Sequence, residues 1–285
     1  MKIVQISDLH FTKLTYNPLH LLSKRVLGHF NWLFRRKAKI SEAPLQSLPK
    51  FLQELQTELI LINGDFTTTS LPTEFITARE FVKRLPAPWI GVPGNHDHYT
   101  YRAYQSNRYY RYLTPTRTAD YWALGREGVE VHHLTKHQWL IAIDTARATN
   151  FFSSRGMFSK RVEKKLRHIL ALIPPQDQIF LFTHYPFLQN DSPRRRLSRA
   201  DTLETIIRAD ARIKLYLHGH THRQTIADLQ PSKLPLILDP GCIANEETGS
   251  FHCLDLKENG LTVQLYRWEG KKWTQTREEG FEWTR

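Results

Sequence analysis

The chain has 285 residues, with 40 Lys and Arg against 28 Asp and Glu, which gives a formal net charge of +12 at pH 7. No apolar run approaches the roughly 18 residues that span a bilayer, which excludes a membrane-spanning helix. The charge favours polyanionic partners or acidic surfaces, and the length suits one large α/β domain over residues 1–285.

Five short apolar runs with polar endings predict strands buried on both faces. In chain order they span residues 3–10, 59–65, 90–97, 179–184 and 215–222. Covering helices are expected at 46–56, 73–84 and 160–172, with another beginning in 203–208. A further strand is expected at 139–145. Apolar and polar residues alternate in the tail, which predicts antiparallel strands at 236–238, 250–256, 261–268 and 272–276, with a turn at 258–260. The part at about 250–285 is expected to form a C-terminal β appendage.

A basic amphipathic insertion at about 18–39 follows the first run. Wound as a helix, it places on one face Leu22, Val26, Leu27, Phe30, Leu33 and Phe34. One interpretation is a helix that packs on the body of the protein. The other is a lid or interfacial helix that contacts a membrane or acidic lipid beside the site, since aromatic residues with flanking bases suit that boundary.

The endings of the five runs contain residues of the types that bind metal ions. Side chains at the carboxyl ends of strands converge in open α/β sheets, so seven candidate ligands are expected to meet: Asp8, His10, Asp65, Asn95, His184, His220 and His222. Oxygen and imidazole ligands suit manganese, iron or zinc. Seven ligands are too many for one ion with an open position, whereas two ions roughly 3.5–4 Å apart, bridged by one carboxylate, would use them all.

The five endings together form an ordered set of motifs. They read Asp8-Leu9-His10, Gly64-Asp65, Gly94-Asn95-His96-Asp97, His184 and Gly219-His220-Thr221-His222. In this order they resemble the calcineurin-like metallophosphoesterases, over residues 1 to about 250, and most of all bacterial cyclic-nucleotide phosphodiesterase-type members. Each motif alone has an ordinary explanation as a turn or a buried histidine, but their joint occurrence favours the metal site.

The resemblance implies a four-layer α/β/β/α sandwich of mixed sheets with helices on the outer faces. It also implies that Asp8, His10 and His222 hold one metal ion, that Asn95, His184 and His220 hold a second, and that Asp65 bridges them. His96 would act as an acid or electrostatic stabiliser, and Asp97 would hold its imidazole in the right tautomer. His218 and Asp144 match no family ligand, so we expect no metal role for either.

The expected reaction is hydrolysis of a phosphate ester by a metal-bridging hydroxide. The leading hypothesis is a phosphodiesterase. Its two metal ions are expected to be manganese or iron, and zinc is the alternative. Three alternatives stay open. One is a lipid-linked pyrophosphate hydrolase like the UDP-2,3-diacylglucosamine pyrophosphohydrolases, although those relatives carry Arg where this chain has His96. The others are a nuclease and a non-catalytic scaffold.

Three acid-free basic clusters follow ligand-bearing endings and are therefore expected on the face of the site. The first lies between Asp8 and Glu42, the second holds Arg102, Arg108, Arg111 and Arg117 among tyrosines, and the third holds Arg194, Arg195, Arg196 and Arg199. They are interpreted either as a solvated rim or as a surface for a substrate with several negative charges or for a membrane. The Tyr-Arg composition of the second cluster would also suit nucleic acid, which is not favoured.

The expected compartment is the bacterial cytoplasm, because the first predicted strand begins at Lys2 and leaves no room for a signal peptide. Cys242 and Cys253 lack the spacing of a metal knuckle and are expected to be reduced.

Overall fold

The computed structural model describes residues 1–13, 15, 24–26, 40–189 and 191–284. In chain order, the strands are β1 (Lys2–Ile6), β2 (Leu59–Ile62), β3 (Trp89–Gly91), β4 (Val129–Thr135), β5 (Gln138–Ile143), β6 (Gly156–Met157), β7 (Gln178–Phe182), β8 (Leu197–Ser198), β9 (Ile213–Leu217), β10 (Thr225–Asp228), β11 (Leu236–Asp239), β12 (Ser250–Lys257), β13 (Gly260–Trp268) and β14 (Trp273–Glu282). The α-helices are α1 (Ala43–Glu54), α2 (Pro72–Val82), α3 (Tyr101–Gln105), α4 (Arg108–Tyr112), α5 (Leu124–Glu127), α6 (Lys160–Leu172) and α7 (Ala200–Ala209).

Two six-stranded mixed sheets form the centre of the molecule. The first has the order β14-β13-β12-β1-β2-β3 and the second has the order β10-β11-β9-β7-β5-β4. Strands β1, β2 and β3 are parallel to one another, as are β5, β7, β9 and β11. The parallel strands are adjacent in each sheet, at one side of the first and in the middle of the second, so their carboxyl ends bring together loops that are far apart in sequence.

Three layers of apolar side chains explain the packing. The two sheets face each other across residues such as Leu61, Phe180 and Leu217. Leu48 of α1 belongs to the cluster on the outer face of the first sheet, and Leu166 of α6 to that on the outer face of the second. The four-layer α/β/β/α sandwich is therefore confirmed.

The predicted helices and strands are present in the structure, and the ends of several are shifted. All five apolar runs contain strands, α6 has the predicted bounds, and α1, α2 and α7 begin one to three residues before the predicted positions. The short helices α3, α4 and α5 were not predicted. Most of the insertion at 18–39 lies outside the described residues, so neither interpretation of its helix is tested.

The tail is integrated into both sheets. Strands β12, β13 and β14 are antiparallel, and β12 pairs with β1 at the centre of the first sheet. The turn at 258–260 is confirmed, since Lys257 pairs with Gly260. The segment at 236–238 does not join them; as β11 it lies parallel to β9 in the second sheet.

Candidate metal centre

The loops that leave neighbouring strands run side by side. The N–H of Asp8 donates to the carbonyl of Gly64 at 3.1 Å, and the N–H of His10 donates to that of Asp65 at 2.9 Å. In the second sheet, the N–H of Gly219 donates to the carbonyl of His184 at 3.0 Å. The two sheets meet at these carboxyl ends, where the N–H of His220 donates to Oδ2 of Asp8 at 3.1 Å.

Five of the seven predicted ligands have left-handed backbone conformations. Their φ angles are 58° at Asp8, 50° at His10, 54° at Asp65, 71° at His220 and 58° at His222. This region costs a residue with a Cβ roughly 1–2 kcal/mol. Such strain is concentrated at functional sites, where the surrounding structure imposes it.

Glycine is required where the second and third endings meet. A Cβ on Gly94 would lie 2.1 Å from Oδ1 of Asp65 and 2.5 Å from its backbone nitrogen. Gly64 has a φ of 94°, and a Cβ there would lie 2.6 Å from the nitrogen of Gly94. The two glycines allow the loops to touch and so fix the position of Asp65.

The first group of ligand atoms comes from three side chains at the ends of β1 and β9. Oδ1 of Asp8 lies 3.0 Å from Nε2 of His222 and 3.5 Å from Nε2 of His10. The two Nε2 atoms are 3.1 Å apart. Neighbouring ligands of one metal ion stand about 3 Å apart when bonds to the metal are about 2.0–2.2 Å, so these three atoms fit one ion.

The second group surrounds the side-chain oxygen of Asn95. This atom lies 2.9 Å from Nδ1 of His220 and 3.3 Å from Nε2 of His184. Oδ2 of Asp65 is 3.6 Å from the same Nε2 of His184. All three residues that define this group are buried, with Asn95 only 7% exposed.

Asp65 lies next to both groups. A carboxylate oxygen of Asp65 lies within 4.8 Å of ligand atoms of Asp8 and His184. A carboxylate oxygen of Asp65 also lies within 4.8 Å of ring nitrogens of His10 and His96. This is the placement that a bridging carboxylate requires. The structure therefore brings all seven predicted ligands together.

The imidazoles are oriented by hydrogen bonds on their outer nitrogens. Nδ1 of His184 lies 2.5 Å from the carbonyl of Asn63, and Nε2 of His220 lies 2.9 Å from the carbonyl of Arg195. A carbonyl accepts only, so each of these nitrogens donates and the opposite nitrogen presents its lone pair to the site.

The pKa values favour the protonation states that metal binding needs. Burial lowers the pKa of His184 to about 4 and that of His220 well below its ordinary value. For Asp8, burial acts upward, but the charge of His222 and hydrogen bonds from His10 and His222 hold the pKa well below its usual range. Neutral imidazoles at His184 and His220 and an ionised carboxylate at Asp8 are the ligand forms that divalent or trivalent ions bind.

His96 stands beside the ligands in a polar environment. Its Nδ1 lies 2.6 Å from the carbonyl of Thr68, its backbone N–H donates to Oδ1 of Asp65 at 2.7 Å, and its ring stacks on that of Tyr99 with centroids 5.4 Å apart. The expectation that Asp97 fixes the His96 tautomer is wrong, because the carbonyl of Thr68 occupies Nδ1.

The carboxylate of Asp97 has a different set of contacts. It accepts hydrogen bonds from the backbone N–H groups of Phe66, Thr67 and Gly94, at 2.9–3.2 Å, and from the hydroxyl of Thr67. It is fully buried, and burial raises its pKa to about 7. Asp97 thus joins the loops after β2 and β3 and acts on His96 only through the backbone.

The metal ligands open into a cleft of about 720 Å³. Besides Asp65, Asn95, His96, His220 and His222, it is lined by Lys24, Thr68, Tyr99, Phe151, Phe152, Ser153, Ser154, Arg194, Arg195 and Thr221. Three bases from the predicted clusters therefore reach the cleft.

The expectation that all three basic clusters face the site is only partly met. Arg117 donates to the carbonyl of His133 at 2.7 Å, and Arg199 bonds the carbonyl of Phe158 and pairs with Glu163. These guanidiniums satisfy local acceptors away from the cleft. Contacts with lipid or nucleic acid stay predictions.

Sequence reasoning missed several residues at the site. The loop at 151–154 lines the cleft, and its residues Phe151 and Phe152 are 48% and 74% exposed. This pair of adjacent phenylalanines is the feature of the sequence that could have indicated the loop. The thiol of Cys242 donates to the carbonyl of Asp8 at 3.2 Å and lies within 4.8 Å of His10 and His222. No spacing in the sequence could have placed it there. Both cysteines are free thiols, as expected.

His218 and Asp144, for which no metal role is expected, each contact other groups near the site. Nδ1 of His218 is 2.9 Å from the carbonyl of Gly219 and 3.4 Å from Oδ2 of Asp239. Asp144 accepts from the hydroxyl of Tyr110 at 2.5 Å. Neither belongs to a potential metal-binding group within the described residues.

No helix among the residues that the structure describes is long and apolar enough to cross a membrane.

Comparisons with known proteins bear on the family and the fold. A sequence model described as calcineurin-like phosphoesterase matches residues 1–224. The fold is similar to a dimetal phosphatase from Danio rerio, with a TM-score of 0.71 and 12% identity over 100% of this chain and 99% of that one. It is also similar to purple acid phosphatase PPD1 from yellow lupin (Lupinus luteus), with a TM-score of 0.63 and 10% identity over 99% of this chain and 53% of that one. No curated protein sequence matches the chain.

Proposed function

The chain belongs to the calcineurin-like phosphoesterase family, and from this premise we propose that it is a dinuclear-metal-dependent phosphodiesterase. The observation that supports the proposal most strongly is the pair of ligand groups on either side of Asp65. Three ligand atoms of Asp8, His10 and His222 lie 3.0–3.5 Å from one another. A second set surrounds Asn95.

In the proposed assignment each group holds one ion. Asp8, His10 and His222 bind the first, and Asn95, His184 and His220 bind the second, with Asp65 between them. The absence of thiolate from the assigned set favours manganese or iron, and zinc is compatible with it. When bound, two such ions lower the pKa of water and neutralise the non-bridging oxygens of a phosphate.

His96 is proposed to protonate or stabilise the leaving oxygen. The carbonyl of Thr68 holds Nδ1, so that Nε2 is the nitrogen that would meet the substrate. An unperturbed imidazole has a pKa of about 6.5, which suits proton transfer near neutral pH. Lys24 and Arg194 line the same cleft and would attract the anionic ester to it.

The size of the cleft favours a diester over a monoester. A volume of about 720 Å³ lies within the range of complete small-molecule sites, about 300–1,000 Å³, and leaves space for organic groups on both sides of the phosphate. The aromatic rings of Tyr99, Phe151 and Phe152 along its wall provide apolar surface that a bare phosphate would not use.

The test is hydrolysis of bis-p-nitrophenyl phosphate beside p-nitrophenyl phosphate, with protein stripped of metal and then reloaded with manganese, iron or zinc. We expect metal-dependent release of p-nitrophenol and a higher kcat/KM for the diester. A preference for the monoester would replace the proposal with a phosphomonoesterase.

A scaffold would behave differently in the same assay. It would bind metal ions yet release no p-nitrophenol from either ester under any of the three metals. Asp65→Asn serves as the matched control, because it keeps the shape of the side chain but removes the charge placed between the two ions. Activity that persists in this variant at the wild-type rate would assign the hydrolysis to a contaminant.

A further inference from the structure

A second cavity of about 610 Å³ adjoins the metal cleft. Phe152, Ser153 and Arg194 line both spaces, so the loop at 149–155 forms the wall between them. We call this space the arginine cavity; its lining consists of Tyr101, Arg147, Ala148, Thr149, Asn150, Phe152, Ser153, Arg155, Pro193 and Arg194. None of the seven ligands lines it, and the function proposed above does not use it.

The lining of the arginine cavity is cationic and contains no carboxylate. Arg147, Arg155 and Arg194 form no ion pair with the acids of the described chain, whereas Arg195 pairs with Asp191 and Arg199 pairs with Glu163. The Nε of Arg147 donates only a long bond, 3.4 Å, to the carbonyl of Arg155. Three guanidiniums around one space favour a phosphate, since each can donate two parallel hydrogen bonds to it.

Two aromatic rings border the same space. Phe152 is 74% exposed and Tyr101 is 57% exposed, although full burial of an aromatic side chain such as Phe is favourable by about 1.5–3 kcal/mol. Exposed rings beside arginines stack readily with planar bases. The combination suits a ligand that has both a planar ring and a phosphate.

The wall between the two spaces is held in place by hydrogen bonds. Nζ of Lys24 donates to the hydroxyl of Thr149 at 2.9 Å and to the carbonyl of Ser153 at 2.8 Å. On the other side, the N–H of Ser154 donates to the carbonyl of Arg194 at 2.9 Å. These bonds fix the position of the loop that borders both spaces, and Phe152, Ser153 and Arg194 face the cleft as well as the cavity.

We propose that the arginine cavity binds the far end of the substrate, and that the preferred diester is a nucleotide-like small molecule with a second phosphate group. The scissile phosphate lies at the metal centre, the ring stacks on Phe152 or Tyr101, and the second phosphate lies among the three arginines. This inference rests on the proposed phosphodiesterase function and adds its substrate class.

The test compares two chromogenic esters that release the same leaving group. They are thymidine 5′-(p-nitrophenyl phosphate) and the same ester with a phosphate on the 3′ oxygen. With manganese-loaded protein, we expect kcat/KM to be at least about tenfold higher for the ester with the second phosphate, which corresponds to about one hydrogen bond to a charged group. Arg147→Ala and Arg155→Ala should reduce this ratio toward one. Arg167→Ala, an exposed position on α6, should leave it unchanged.

Each alternative has its own result. Equal kcat/KM for the two thymidine esters, with bis-p-nitrophenyl phosphate still hydrolysed, would overturn the inference and leave the proposed function intact. A greater preference for single-stranded oligonucleotides than for either ester would overturn the small-molecule class in favour of nucleic acid. Absence of turnover on bis-p-nitrophenyl phosphate would overturn both proposals. Circular dichroism of the two arginine variants excludes misfolding as the cause of a reduced ratio.

Discussion

The Nδ1 atom of His96 lies 2.6 Å from the carbonyl oxygen of Thr68. Because a carbonyl only accepts, this contact fixes the Nδ1–H tautomer and assigns Nε2 to the cleft. The histidine of the Gly-Asn-His-Asp motif is thus oriented by the loop after β2, while its backbone N–H is held by Asp65. This orientation supports the proposed role of His96 as an acid beside the metal ligands.

We therefore predict that His96→Ala reduces turnover of an alkyl-leaving diester by about 10²–10⁴-fold and leaves metal content unchanged. The loss should be smaller for a p-nitrophenyl ester, since that leaving group needs little protonation. Steady-state kinetics on both esters and metal analysis of the variant check this. His168→Ala, an exposed histidine on α6, is the control. An unchanged rate on the alkyl ester would refute the acid role.

Asp65→Ala is expected to lose metal rather than only activity. The carboxylate is 1% exposed and lies between the two ligand groups, so its removal leaves neighbouring ligands without the shared anion that neutralises two cations. Inductively coupled plasma mass spectrometry after dialysis should find less than half of the wild-type metal content. Retention of the full content would show that the ions do not share Asp65. Asp144→Asn, outside both groups, should keep the wild-type content.

Gly94→Ala tests the close contact that positions Asp65. A Cβ at this residue would lie 2.1 Å from Oδ1 of Asp65, so the loop after β3 must move away from the loop after β2. We expect metal affinity to fall by at least about tenfold, in line with other perturbations of groups that orient ligands. Titration calorimetry with manganese measures it.

Gly280→Ala is the matched control for that substitution, because a Cβ there meets nothing within 4 Å. It should leave manganese affinity unchanged. If Gly94→Ala also bound manganese with the wild-type affinity, the close approach of the two loops would have no role in forming the site.

The fold and the convergence of the candidate ligands could be predicted because both follow from local patterns. Runs such as 59–62 are apolar at every position, which only a strand covered on both faces accommodates. Ligands at their ends then converge for a topological reason. The five left-handed φ angles at the ligands have no such sequence pattern, since none of these five residues is a glycine.

The contacts of His96 and the arginine cavity could not be predicted in the same way. Asp97 follows His96 in sequence, yet its carboxylate points to the backbone of Phe66, Thr67 and Gly94. The partner of the imidazole is instead a backbone carbonyl 28 residues away, and carbonyls carry no sequence signal. Arg147 and Arg194 meet only through the fold of two distant loops.

Asp144 supplies the last prediction, on the dependence of stability on pH. Burial raises its pKa from the ordinary value of 3.8 to about 6, although hydrogen bonds from Tyr110 and Ala146 act against this. The folded state therefore binds more protons than the unfolded state between these values. The stability contributed by this carboxyl is fully present below pH 3.8 and is lost as pH rises through about 6, a loss of about 3 kcal/mol.

Asp144→Asn removes the group that titrates. The amide can keep both contacts, because its oxygen can accept from the N–H of Ala146 and its NH2 group can donate to the hydroxyl of Tyr110. Urea unfolding of metal-free protein at pH 4.0–7.5 should show the variant gaining stability relative to the wild type as pH rises. The raised pKa values of Glu74 and Asp239 affect both proteins and cancel in this difference, so parallel curves would mean that Asp144 is ionised at its ordinary pKa.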